Sequence, residues 1–162
     1  MHKQNFAEAV DDILKRDSRY DRDSYYFVRE GLDFTLKLLK KQTRTNPVHR
    51  HVSGQELLEG LRRYALDQFG PMAKTVLDYW GIRKCDDFGR IVFNMVEKNV
   101  LGKTEQDSLE DFKGGFDFEE AFVKPYLPTP SPRHRQAHVR NAAHRREKAR
   151  SAGSQKLNSG SN

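Results

Sequence analysis

Apolar positions recur along the first 127 residues with the 3.6-residue period of amphipathic helices. Phe6, Ala9, Val10, Ile13 and Leu14 predict a helix over 5–16, which Asp17-Ser18-Arg19-Tyr20-Asp21 interrupts. A longer helix is predicted from Asp23 to about Lys41, with Tyr25, Val28, Leu32, Phe34, Leu36 and Leu39 as candidate core. Its apolar residues cover more than one face, so it is expected to be central. Gly31 in its middle costs about 1 kcal/mol relative to Ala. Residues 42–52 contain Asn46-Pro47 and read as a loop.

Ser53-Gly54-Gln55-Glu56 is the sharpest local signal. It matches a capping box, in which the Ser hydroxyl and the Glu carboxylate each accept from the other's backbone N–H. Leu57, Leu58, Leu61, Tyr64, Ala65 and Phe69 continue the helix to Gly70-Pro71, where a short helix follows with Met72, Val76, Leu77 and Trp80 inward. After a turn at Gly81-Ile82, Asp86 or Asp87 caps a helix with Phe88, Ile91, Val92, Met95 and Val96 inward. Residues 100–113 read as a small β-hairpin. Asp117 and Glu120 then cap an aromatic segment (Phe116, Phe118, Phe122, Tyr126) expected to lie back over the core.

The predicted fold class is therefore mostly α. The order of helix 53–69, short helix, tight turn, helix 86–98 and hairpin is that of a winged helix-turn-helix unit. From Pro128 the pattern stops. Pro128, Pro130 and Pro132 open a linker, and residues 133–162 hold too little apolar matter to offset their ordering entropy. The expected division is one domain over 1–127 and a disordered tail over 128–162.

Charge changes this picture. The whole chain carries a net +6 and a pI near 9.5. Residues 1–127 hold 21 Lys and Arg against 22 Asp and Glu, whereas residues 128–162 hold 8 against 1. The basic character belongs to the tail. Its Arg133, Arg135, Arg140, Arg145, Arg146, Lys148 and Arg150 are candidate contacts for nucleic acid or a ribonucleoprotein. The acid-free stretch 34–55 adds Lys40, Lys41, Arg44 and Arg50 as further candidates.

The helix 86–98 points elsewhere. Its expected outward residues include Asp86, Asp87, Arg90 and Asn94, and the hairpin adds Glu105, Asp107, Glu110 and Asp111. Phosphate contact requires Lys and Arg, so this acidic face suits a protein partner better than DNA. That is the alternative function: a protein-interaction module with an incidental tail.

Catalytic and metal chemistry find little support. His49, His51 and the single Cys85 lack the ligand number and spacing of a structural zinc site, so no metal and no cofactor is expected. Cys85 is expected to be buried and inert. No phosphate loop, nucleophile elbow or HExxH motif is present, which makes an enzyme the least supported reading. Met1 to Asn5 lacks an apolar signal region and no stretch approaches a membrane span, so a cytoplasmic setting is expected.

The runs Arg50-His51-Val52-Ser53-Gly54-Gln55-Glu56-Leu57-Leu58-Glu59-Gly60, Gln68-Phe69-Gly70-Pro71-Met72-Ala73, Asp87-Phe88-Gly89-Arg90-Ile91-Val92-Phe93-Asn94 and Leu101-Gly102-Lys103-Thr104-Glu105 resemble an uncharacterised bacterial family of planctomycetes and verrucomicrobia. The resemblance spans about Phe6 to Pro128 and excludes the tail. It implies a bacterial, cytoplasmic setting and carries over no activity, cofactor or site residue.

Overall fold

Asn5 and Ser53 open helices in the same way. The Asn5 side chain accepts from Ala7 N–H at 2.7 Å while the Glu8 carboxylate accepts from Asn5 N–H. Ser53 Oγ accepts from Glu56 N–H at 3.2 Å, and Glu56 accepts from Ser53 N–H at 3.0 Å. Both boxes satisfy backbone donors that a helix start leaves orphaned. Ser53→Ala is expected to lower unfolding free energy by about 1 kcal/mol in urea titration.

The structure, a computed structural model, describes residues 5–42, 51–129 and 143–152. Its contacts divide the chain into Met1–Tyr126 and Leu127–Asn162. The first unit holds α1 (Phe6–Arg16), α2 (Arg22–Gln42), α3 (Gly54–Phe69), α4 (Ala73–Tyr79), α5 (Cys85–Glu97) and α6 (Phe118–Phe122). Three 3-10 turns, Gly70–Met72, Leu109–Phe112 and Lys124–Tyr126, join or follow them. The protein is mostly helical, and no helix among the described residues is long and apolar enough to cross a membrane.

Helix α2 lies along α3, and α5 packs against α1, α2, α3 and the turn Leu109–Phe112. Phe27 sits among rings, with centroids 5.2 Å from Tyr64, 5.4 Å from Trp80 and 5.8 Å from Phe69. Phe88 links this cluster to Phe118 at 5.9 Å, and Phe118 to Phe122 at 5.2 Å. The aromatic segment after Gly115 thus closes over the core, with Asp117 capping α6 through Glu120 N–H.

Two expectations are corrected. No β-strand occurs among the described residues, so the hairpin over 100–113, and with it the wing, is absent there. Local caps replace the strand ladder. Thr104 N–H donates to Asp107, Ser108 N–H donates to Asp111 and Glu110 N–H donates to Ser108 Oγ. Short polar side chains compete in this way with inter-strand pairing. Phe112 is then anchored in the core at 4% exposure.

The inward face of α2 also differs. Its buried residues are Ser24, Tyr25, Phe27, Val28, Gly31 and Thr35, while Leu36 is exposed. Small residues face α3 because the two backbones approach closely. Beyond the first unit, residues 143–152 form a helix on which every residue is exposed. Ala143, Ala149, Ala152, Glu147 and the basic residues are good helix formers.

Candidate functional site

Two polar residues of α5 expected to face solvent meet partners within the fold instead. Asp87, expected outward, is 7% exposed and holds four donors. Tyr20 OH donates to it at 2.7 Å, Arg83 N–H at 2.9 Å, Lys84 N–H at 3.1 Å and Arg90 Nη1 at 3.1 Å. The carboxylate therefore caps α5 and ties it to the loop after α1. Asn94, also expected outward, donates from Nδ2 to Asp17 and to Tyr25 OH, each at 3.1 Å. The periodicity separates polar from apolar positions; it does not separate solvated polar residues from those meeting a polar partner. Asp86 is half-buried, its carboxylate 4.0 Å from Lys84 Nζ, and Arg90 is half-exposed.

Around Asp87 the chain builds a groove. Asp21 N–H donates to the Trp80 carbonyl at 3.1 Å, joining the loop after α1 to the turn after α4. Gly81, at φ 85°, lets that turn approach the loop. A Cβ there would lie 2.4 Å from the Arg19 carbonyl oxygen. The groove between them, about 630 Å³, is lined by Arg19, Arg83, Lys84, Arg90, Tyr79 and the acids Asp21, Asp78 and Asp87.

Its acids are not uniformly deeper than its cations, since Asp78 is 39% exposed and Arg90 38%. Arg19 and Lys84 side chains are 59% and 63% exposed, against 16% for Asp17 and 10% for Asp87. Asp78 is bound by Lys74 at 2.8 Å, and Asp21 accepts from Asp23 N–H. Hydrogen bonding from Arg19 holds the Asp17 carboxyl well below its usual range. Burial first, and the Asp87 contact second, push the Tyr20 phenol up to about 12.

A second concavity of about 190 Å³ lies between α2, α5 and residues 101–112. Leu32, Leu36, Val92, Val96 and Leu101 form its apolar walls. At its rim His51 Nε2 lies 2.7 and 2.9 Å from the two Asp107 oxygens. Burial opposes ionisation of Asp107, but Thr104 N–H and His51 outweigh it and hold the carboxyl below its ordinary value. Among the described residues no Ser, Thr or Cys lines this cleft, but the Thr104 side chain, beside it, hydrogen-bonds the Asp107 carboxylate.

Cys85 is buried, with Sγ donating to the Phe116 carbonyl at 3.3 Å. Burial, aided by the charges of Asp86 and Asp87, pushes its thiol up to about 11. Against an ordinary value of 9.0, this leaves about a hundredth of the usual thiolate. At pH 8 the folded protein is expected to react with Ellman's reagent about a hundredfold more slowly than in denaturant.

Among the described residues no group of three His, Cys, Asp or Glu side chains is placed to hold a metal ion. Lys40 and Lys41 stand exposed at the end of α2, and Arg145, Arg146, Lys148 and Arg150 on the helix 143–152. His49, Arg44, Arg50, Arg133, Arg135 and Arg140 lie outside the described residues. The chain matches no family model, no curated protein and no solved structure.

The sequence reading missed the groove because its walls lie some 60 positions apart in the chain. One signal was available: Arg19-Tyr20 and Tyr79-Trp80-Gly81-Ile82-Arg83-Lys84 each interleave aromatic and basic residues.

Proposed function

We propose that the protein is a non-enzymatic, cytoplasmic binding protein that attaches to nucleic acid, free or in a ribonucleoprotein, through its basic tail. The helix 143–152 carries this reading. Its four cations, Arg145, Arg146, Lys148 and Arg150, face a single acid, Glu147, and all are exposed. Arg146 and Arg150 are an i,i+4 like-charge pair, which destabilises a helix in the absence of counter-charge. A row of phosphates relieves that repulsion and gains counterion release.

The rival reading, a protein-interaction module using Asp86, Asp87, Arg90 and Asn94 with the hairpin, has less support. Asp87 and Asn94 are occupied within the fold, and Asp107 and Asp111 serve as local caps. The helix-turn-helix order of α4 and α5 adds only an order of elements, since no wing accompanies it among the described residues.

The test is a salt series of RNA and DNA binding with the full chain and with a variant carrying Ser at 145, 146, 148 and 150. Loss of four phosphate contacts is expected to flatten the log–log salt slope by about 3. Equal slopes for the two proteins refute the proposal.

A further inference from the structure

We propose that the groove between the loop after α1 and the turn after α4 is a contact site for single-stranded nucleic acid. Tyr79 stacks on a base, and Arg83, Arg19 and Lys84 meet the flanking phosphates. The inference deepens the nucleic-acid reading above and rests on it, but it places a contact in the folded unit rather than in the tail.

Tyr79 is the first observation. Tyr79 is 82% exposed, the most of any bulky apolar or aromatic residue described. The neighbouring Trp80 is buried against Phe27 and Phe69, so the turn sends one ring inward and one outward. A free aromatic face beside cations is the arrangement that binds single strands, because every base offers a π-face and every linkage a phosphate.

Charge placement is the second. Groove carboxylates are engaged: Asp87 by four donors, Asp78 by Lys74, Asp21 by Asp23 N–H. Arg19 and Lys84 lie further out than Asp87, while Asp78 is about as exposed as Arg90. Arg83 is exposed, and its side chain makes no hydrogen bond or ion pair among the described residues. Among the described residues Lys84 has only a 4.0 Å contact to Asp86. Arg19 is held by Asp17 through Nε and Nη2 at 2.8 and 2.6 Å, which fixes its guanidinium at the rim.

Rigidity is the third. The Asp21–Trp80 backbone bond, the Gly81 approach to Arg19 and the Tyr20–Asp87 bond fix both walls before any ligand arrives. A preorganised site loses less ordering entropy on binding. A duplex hides its base faces and has nothing to offer Tyr79, so the groove discriminates by strandedness and not by sequence.

The experiment measures fluorescence anisotropy of the full chain with a labelled oligouridylate of about twelve nucleotides and a duplex of similar length. Tyr79→Ala is expected to weaken oligouridylate binding about tenfold with the salt slope unchanged, and Tyr79→Phe to restore it. Arg83→Ala is expected to lower the slope by about 0.7, one phosphate on a single strand. Both Ala variants are expected to bind the duplex like the parent. Urea midpoints equal to the parent's check that they fold. If both bind oligouridylate like the parent while the tail variant loses it, the groove is refuted and the tail reading stands. If the parent binds neither probe, both are refuted.

Discussion

Asp87→Ala is expected to lower the unfolding free energy of the folded unit by about 3 to 4 kcal/mol. The side chain is small, so lost packing is a minor part of the effect. What remains after its removal is a buried phenol, two backbone N–H groups at the start of α5 and the Arg90 guanidinium, all without their acceptor. Tyr20 is 2% exposed, so water cannot readily replace the carboxylate at its hydroxyl. Hydrogen bonds to a charged group are worth about 1.5–3 kcal/mol, and stripping one partner from a buried polar set costs about 3–5. Against a total of about 5–15 kcal/mol, such a loss is large.

Asp87→Asn is expected to lose about half as much, because one carbonyl oxygen still accepts while the amide opposes the remaining donors. Urea unfolding with a fixed slope measures both. A loss below about 1 kcal/mol for Asp87→Ala would mean that the four contacts do not organise the loop and α5. A double-mutant cycle with Tyr20→Phe isolates the phenol's share, expected at about 1 kcal/mol or more. The pH dependence follows. Tyr20 keeps its proton in the fold up to about 12, against an ordinary 10.0. An unfolded chain releases that proton earlier, so the stabilisation is complete below about 10 and is lost as pH rises towards 12. Tyr20→Phe removes this share of the alkaline transition.

Local chemistry accounts for what the sequence made legible. Capping residues and apolar periodicity act within a few positions, which is why the Ser53 box, α1, α3 and the Asp117 cap are readable. The hairpin expectation fails because Ser108, a turn former, and Asp111, in the expected second strand, form a local cap here. Phe112 seats against Gly89, where a Cβ would come within 2.8 Å of the ring. The groove depends on contacts across the chain, Tyr20 with Asp87 and Asp21 with Trp80, that no local pattern encodes. Gly31 shows the same limit: read locally it weakens a helix, but it lies against Leu61.

Gly60→Ala tests that close packing most sharply. A Cβ at Gly60 would lie 1.8 Å from Thr35 Oγ1, 2.7 Å from Thr35 Cβ and 2.8 Å from Thr35 Cγ2. Rotating the threonine cannot relieve the second overlap, because its Cβ moves only with the α2 backbone. Thr35 is also held in place, its hydroxyl donating to the Gly31 carbonyl at 2.7 Å. The two helices must therefore separate, and Phe27, Tyr64 and Leu61 lose contact along the seam. Overpacking of this kind costs about 1–3 kcal/mol and more where backbone must move; helix propensity returns about 1. The net expected loss is about 3 kcal/mol, a fall in melting temperature of about 10 °C. Gly31→Ala is the contrast. Its Cβ would meet Leu61 Cδ2 at 2.4 Å, the far end of a side chain that has rotamers available. The propensity gain then offsets most of the strain, and stability stays within about 1 kcal/mol of the parent. Adding Thr35→Ala to Gly60→Ala is expected to recover part of the loss, since the 1.8 and 2.8 Å overlaps vanish and the 2.7 Å one remains. Equal losses at Gly31 and Gly60 would show that helix propensity, not the approach of α2 to α3, sets the cost at both positions.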